Sequence, residues 1–341
     1  MSELLFTLDN VSITGRATAR LEHLSLNLSR GITAIIGASG AGKTTLCNLL
    51  VGFETPSSGR VISHWKKQSN QPASDRLPLY WSPDGGLWPH LTVAAHLAAV
   101  MPPRAKQHAS DLLKKFALEH CVNALPAQLS AGERERLGVA RAIASEARVL
   151  VLDEPFAHVD GVAAADYWHT LLSLVQANDS SLIYTTHAPE RVIGYAQTVI
   201  CLRDGRLLHH GAVDELYHRP PTIEAATCLG ATNWLSANDR ATWFSDSDAN
   251  ECVRPERIII EPLSTGDSVV QTAQFNGHLA SVEVLRDDGQ RRTFLHRPSR
   301  PLLVGERVSV ILRPGPQTKI RTEVTFSNAD QPSRKKSAGH E

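Results

Sequence analysis

The sequence predicts an α/β fold with a mostly parallel sheet, followed by a small all-β domain. Three observations carry this reading. Residues 1 to about 230 alternate short β-branched runs with longer helical patterns. A glycine-rich segment, 37–45, lies between one such run and an apolar helical pattern. Beyond Pro220-Pro221 helical periodicity fades into short alternating runs separated by turn residues. The 341 residues, 42% apolar and 21% charged, suffice for two domains with a core of useful size.

In the first part the clearest strands are Ile32 to Ile36, Val149 to Leu152, Leu182 to Thr186 and Val199 to Leu202. In the second, strands are expected over Arg257 to Glu261, Leu279 to Leu285, Arg292 to His296 and Arg307 to Leu312, with Asp287-Asp288-Gly289 as a hairpin turn. His64 to Leu77 reads as a polar surface excursion between strands. The tail from about Asn328 lacks apolar residues and is expected to be disordered. His209-His210 reads as a solvated strand end, because adjacent residues of a strand point to opposite faces.

Several function classes are excluded early. Thirty-five basic residues balance thirty-five acidic ones, so no global field draws the chain to nucleic acid or to an anionic membrane. No apolar run reaches the ~18 residues of a membrane helix. The N-terminus carries Glu3 where a secretory signal would carry positive charge, so a cytoplasmic protein is expected. The cysteines at 47, 121, 201, 228 and 252 form no CxxC pair and are read as buried thiols, with no disulfide framework.

The segment Gly37-Ala38-Ser39-Gly40-Ala41-Gly42-Lys43-Thr44-Thr45 fits GxxxxGK[ST], after a strand and before the helical pattern Leu46, Leu49, Leu50. Glycines let the loop wrap closely around phosphates with its N–H groups turned inward, and the following helix presents its positive end to the same anion. Lys43 is expected at the β- and γ-phosphates of ATP and the Thr44 hydroxyl on Mg²⁺. This makes the first domain a P-loop NTPase. Val149 to Leu152 then delivers Asp153 and Glu154 at the C-terminal end of a buried strand, where functional residues of parallel sheets collect. Asp153 suits Mg²⁺, and Glu154 suits polarisation of an attacking water.

Upstream, Leu129-Ser130-Ala131-Gly132-Glu133 resembles the LSGGQ signature of ATP-binding cassette (ABC) proteins, with Ala131 for the first glycine and Glu133 for the glutamine. The resemblance implies that Ser130, Ala131, Gly132 and Glu133 contact the γ-phosphate of a nucleotide held mainly by another subunit. Ala157-His158-Val159-Asp160 resembles the D-loop, which implies a place for Asp160 at a dimer interface. His187, after Ile183 to Thr186, falls where the family has its switch histidine, implying a γ-phosphate contact and a share with Glu154 in holding the water. Leu87 to Val93 resembles the segment after the Q-loop, but the family's glutamine falls at Pro83, which has no side-chain donor or acceptor. Weakened or differently timed coupling is expected there, with Ser82 or Asp84 as substitutes. No aromatic residue precedes the loop where the family stacks adenine, and Arg16 is the substitute.

Cys252 to Ile260 resembles the RPE strand of the transport-associated OB-like (TOBE) domain of importer ATPases for sugars, iron(III), polyamines, sulfate and molybdate. Gly230 to Asn233 resembles the junction before it. The implied division is a nucleotide-binding domain over 1–232, with a helical subdomain over about 88–145, an OB-like β domain over 233–325, and a tail over 326–341. The implied protein is the peripheral ATPase subunit of an importer at the cytoplasmic face of the membrane. Its implied partners are a second copy of itself, integral permease subunits and, indirectly, a solute-binding protein, with no nucleic acid. A soluble ABC ATPase of DNA repair or translation and a slow-turnover regulatory module are the alternatives. The first lacks its usual coiled coil or second cassette, and Glu154 argues against the second.

Overall fold

The computed structural model describes residues 3–15, 19–64, 79–82, 86–244 and 250–314. In chain order, β1 (Leu4–Thr14), β2 (Ala19–Ser29) and β3 (Ile32–Ile36) lead through the glycine-rich loop into α1 (Lys43–Leu50). There follow β4 (Ser58–Ser63), β5 (Leu79–Ser82), α2 (Val93–Val100), α3 (Ala109–Lys115), α4 (Ala131–Ala144), β6 (Val149–Leu152) and α5 (Gly161–Ala177). Then come β7 (Ser181–Thr186), α6 (Pro189–Tyr195), β8 (Thr198–Arg203), β9 (Arg206–Ala212), α7 (Val213–His218) and α8 (Ile223–Cys228).

The central sheet has the order β5-β6-β7-β3-β8-β9, parallel except for the antiparallel edge strand β9. Its inner strands β3, β6, β7 and β8 are buried on both faces, which is why they read as continuous apolar runs. Alternate residues serve two cores. Ile35, Val151, Ile183 and Ile200 pack with Leu46 and Leu50 of α1. Ala34, Leu150, Leu182 and Val199 pack with Leu97, Leu137 and Trp168 from the helices of the opposite face.

The first of these cores is closed by a second, antiparallel sheet, β2-β1-β4, which the sequence reading did not anticipate. Register shifts along β1, and a left-handed Asn10 at φ 49°, put its apolar residues out of period-2 phase. The pattern Leu8, Val11, Ile13 therefore gives no clean alternation, although all three are buried.

Helices also continue past Pro221, contrary to expectation: α8, and α9 (Ala237–Phe244), which inserts Trp243 and Arg240 into the interior. Beyond them lie a short ribbon of β10 (Asn233–Trp234) and β11 (Cys252–Val253), and a five-stranded antiparallel sheet. That sheet is built from β12 (Ile258–Pro262), β13 (Ser268–Phe275), β14 (Ala280–Arg286), β15 (Arg291–His296) and β16 (Arg307–Leu312), in the order β12-β16-β13-β14-β15. Gly289, at φ 88°, sits in the β14–β15 hairpin, where the turn requires a left-handed residue. Trp243, Val282 and Phe294 belong to a core of this region.

Two further expectations are corrected. Cys201 of β8 and Cys228 at the end of α8, 27 residues apart, are joined as a disulfide, whereas Cys47 and Cys252 are buried thiols and Cys121 is half-buried. Sequence spacing carried no sign of the pair, because β8 and α8 meet only through the tertiary fold. His209 and His210 are half-buried in β9 rather than solvated, and burial pushes both imidazoles towards the neutral form. The excursion over 65–78, Arg16, Pro83, Asp84 and the tail lie outside the described residues.

Candidate active site

The parallel strands β3, β7 and β6 end side by side, with Ile36 opposite Thr186 and Leu152 opposite Tyr184. Their C-terminal ends carry the phosphate loop, His187 and the Asp153-Glu154 pair. In the loop, Gly37 leaves no room for a Cβ, which would fall 2.4 Å from the Leu202 carbonyl oxygen. Gly42, at φ 100°, caps α1 in a left-handed conformation that L side chains rarely adopt. Ala38, Ser39 and Gly40 are exposed, Ala41 is buried and Thr45 is half-buried at the start of α1.

Lys43 folds back over this loop. Its Nζ donates to the carbonyl oxygens of Gly37 (2.9 Å) and Ala38 (3.2 Å) and stands 3.9 Å from Glu154 Oε1. An ammonium in that position, beside backbone N–H groups at a helix start, attracts a polyphosphate. The Thr44 hydroxyl donates to Asp153 Oδ2 at 3.0 Å. These two hard oxygen donors, one of them anionic, fit Mg²⁺, which takes few protein oxygens and completes its shell with phosphate and water.

Asp153 and Glu154 are fixed by a residue that the sequence reading missed. The buried Thr185 hydroxyl donates to Asp153 Oδ1 and accepts from the Glu154 N–H at 2.9 Å. The only sequence signal was a hydroxyl residue two before His187. Its meaning depends on the β6–β7 pairing. Glu154 Oε2 lies 2.9 Å from His187 Nδ1, so the two expected catalytic groups are in contact. Glu154 and Phe156 are left-handed, at φ 46° and 62°, and this turns the chain sharply after β6.

Thr185→Val should cost about 1–3 kcal/mol of stability, since it leaves the Asp153 oxygen without a donor and the Glu154 N–H without an acceptor. Turnover should fall with it. Thr185→Ser is expected to restore both the denaturation midpoint and turnover; a Val variant of unchanged stability would refute the bridge.

The signature residues assemble elsewhere on the chain. Ser130 caps α4, accepting from the Glu133 N–H at 3.2 Å, while Glu133 Oε2 accepts from the Ser130 N–H at 2.8 Å. The Ser130 backbone N–H first, then the Ser130 hydroxyl and the His120 ring, favour the charged Glu133 carboxylate and bring its pKa down to about 2. Ala131 is exposed, and Gly132 lies against the D-loop, where a Cβ would fall 3.3 Å from the His158 carbonyl oxygen. Glu135 of α4 accepts from the His158 N–H at 2.9 Å and pairs with its ring. Asp160 accepts from the Val162 N–H at 3.0 Å and so caps α5. No hydrogen bond among the described residues joins 129–133 to the phosphate loop of the same chain. A cleft of about 600 Å³ separates α4 from the end of β6, lined by Arg134, Gly138, Asp153, Glu154 and His158.

At the edge of the helical layer, the guanidinium of buried Arg141 lies 4.5 Å from the Trp88 ring and donates to the Gly86 carbonyl oxygen at 2.9 Å. Trp88 also stacks on His96, and 38% of it stays exposed. It is therefore tied into its own fold while presenting an edge outward.

Residues 21–157 match the family model for the ABC transporter. An Fe(3+) ions import ATP-binding protein of Serratia marcescens is 32% identical over 290 residues, covering 77% of this chain and 84% of that protein. A sulfate/thiosulfate import ATP-binding protein of Thermosynechococcus vestitus is 30% identical over 297 residues, covering 83% and 88%. A bacterial ABC transporter cassette of dimeric structure shares the fold at 22% identity, with a TM-score of 0.53 over 61% of this chain and 99% of that one. With a phosphate loop, paired carboxylates and a facing histidine at the ends of β3, β6 and β7, the chain belongs to the ATP-binding subunits of ABC transporters, in the importer group, and is an ATPase.

Proposed function

We propose that two copies of this chain pair head to tail around two ATP molecules, and that hydrolysis drives solute uptake through separate permease subunits. The observation that carries this reading is the continuous contact Lys43–Glu154–His187, adjoining Thr44–Asp153–Thr185, at the ends of three neighbouring strands. Residues 37–45 bind the phosphates. Thr44 and Asp153 hold Mg²⁺, which neutralises charge on the phosphate oxygens when bound. Glu154 accepts a proton from the attacking water as it adds in line to the γ-phosphorus and the β–γ bridging P–O bond breaks to release ADP, while His187, in contact with Glu154, keeps that carboxylate aimed and meets the γ-phosphate. Lys43 offsets the charge on the β- and γ-oxygens.

Ser130, Ala131, Gly132 and Glu133 have no hydrogen bond to the loop of their own chain among the described residues. They head a helix whose N–H groups can meet a phosphate supplied by the partner copy. The proposed dimer is therefore what completes each site. Asp160 lies beside that junction. Residues 1–232 form the nucleotide-binding unit, with the helical layer over 88–145 moving on closure and the exposed edge of Trp88 lying at the contact with the permease. Residues 233–325 form an OB-like unit of the TOBE kind, and 326–341 a tail.

No described helix is long and apolar enough to cross a membrane. The relatives named as import ATP-binding proteins support a peripheral subunit, which the proposal puts on the cytoplasmic face with no nucleic-acid partner. The relatives named for Fe(3+) and sulfate/thiosulfate import suggest a small inorganic ion as cargo. Tagged Glu154→Gln protein recovered from solubilised membranes with ATP should carry a multi-span permease with it. Recovery of soluble or nucleic-acid-bound partners alone would overturn the importer assignment.

A further inference from the structure

The α4 head carries a cluster in which Glu133, a signature residue, meets two side chains that the ATPase reading does not use, His120 and Cys121. His120 and Cys121 lie on a short 3-10 turn, Glu119–Cys121, facing Glu133. One ligand atom from each of His120, Cys121 and Glu133 lies within 4.8 Å of the other two, the His120 Nε2 to Glu133 Oε1 distance being 2.8 Å. The ring of His120 is open to solvent, while Cys121 and Glu133 are half-buried.

We propose that His120, Cys121 and Glu133 bind a borderline divalent cation of the zinc type, and that this cation neutralises the carboxylate at the head of α4, making ATP-driven pairing metal-dependent. The donor set of imidazole, thiolate and carboxylate selects such an ion over Mg²⁺ or Ca²⁺, which prefer oxygen donors alone. Three protein ligands leave a fourth position for water on the open side of His120. Small rotations of the exposed imidazole and of Glu133 let the ion replace their hydrogen bond. Glu133 Oε2 need not move, so Ser130 keeps its cap while Oε1 turns to the metal.

Charge supplies the link to function. Without metal, the cluster carries one negative charge, from Glu133, at a helix end that would receive a triphosphate. On binding, the Cys121 thiol releases its proton to solvent, and the ion's two positive charges offset the thiolate and the carboxylate. The site changes from −1 to 0 and the repulsion is removed. A charge at a helix end changes affinity by roughly 2- to 5-fold. This second half rests on the head-to-tail pairing proposed above, whereas the binding site itself does not.

The test uses the full chain with Co²⁺ as a spectroscopic probe. A thiolate-to-cobalt charge-transfer band should appear at one equivalent and be bleached by Zn²⁺. It should be absent in Cys121→Ser and weakened in His120→Ala, with Mg²⁺-dependent ATP hydrolysis, measured without added Co²⁺ or Zn²⁺, unchanged in both variants. No band, or a band that survives Cys121→Ser, overturns the site. In a second arm, ATP-driven dimerisation of Glu154→Gln should strengthen roughly 2- to 5-fold with Zn²⁺, and not when Cys121→Ser is added. Dimers indifferent to Zn²⁺ overturn the coupling. If no ATP-driven dimer forms at all, the pairing model fails and the cobalt band still decides the site.

Discussion

Glu154→Gln should lower ATP turnover by roughly 10²- to 10⁴-fold, the usual contribution of a positioned general base. Nucleotide affinity should stay close to that of the parent, because glutamine keeps the size of the side chain and can still meet His187 Nδ1, now 2.9 Å from Glu154 Oε2. Phosphate release measured beside nucleotide titration separates the two quantities. A variant that turns over ATP normally would show that the base lies elsewhere. His187→Ala combined with Glu154→Gln should add little to the loss, since residues acting as one unit are not additive.

Lys43→Ala should produce the complementary pattern. Only about 10% of the Lys43 side chain is exposed, and its ammonium spans two loop carbonyls. Its loss takes away the fixed positive charge that a triphosphate would meet and the two hydrogen bonds that hold the loop. Truncating one partner of such a charge contact costs about 2–5 kcal/mol, or roughly 30- to 5,000-fold in Kd. Titration with a fluorescent ATP analogue checks it, and affinity within a factor of about two of the parent would be incompatible with this cost. Together the two variants divide binding from chemistry: one chain that holds ATP without cleaving it, and one that scarcely holds it.

How much of this was legible in the sequence depends on whether a residue's partner lies nearby along the chain. The strands of the central sheet were readable because burial on both faces makes each a short apolar run with a definite end, and β6 runs over Val149–Leu152 as expected. The phosphate loop was readable because its glycines, lysine and threonine act within nine residues. Thr185 was invisible, because a hydroxyl inside an apolar strand acquires a role only when β6 pairs beside β7. The sheet β2-β1-β4 was hidden by bulges, and the Cys201–Cys228 disulfide by a separation of 27 residues along the chain. The helix α9 was masked by its composition, in which Asp239 and Arg240 interrupt the apolar stripe although Arg240 is buried.

The left-handed pair at Glu154 and Phe156 has a consequence for how this chain could change under selection. Each such residue holds its backbone in a region that costs about 1–2 kcal/mol for most side chains and least for glycine and asparagine. A population screened for heat tolerance alone would be expected to accumulate Gly or Asn at position 154, relieving that cost while discarding the general base, whereas Phe156, fully buried against Phe116, Tyr167 and Trp168, would be kept for its packing. Screens that also demand ATP turnover would keep Glu154 and find their stabilising changes elsewhere, so a comparison of the two lineages would show this turn as a place where durability and activity pull in opposite directions.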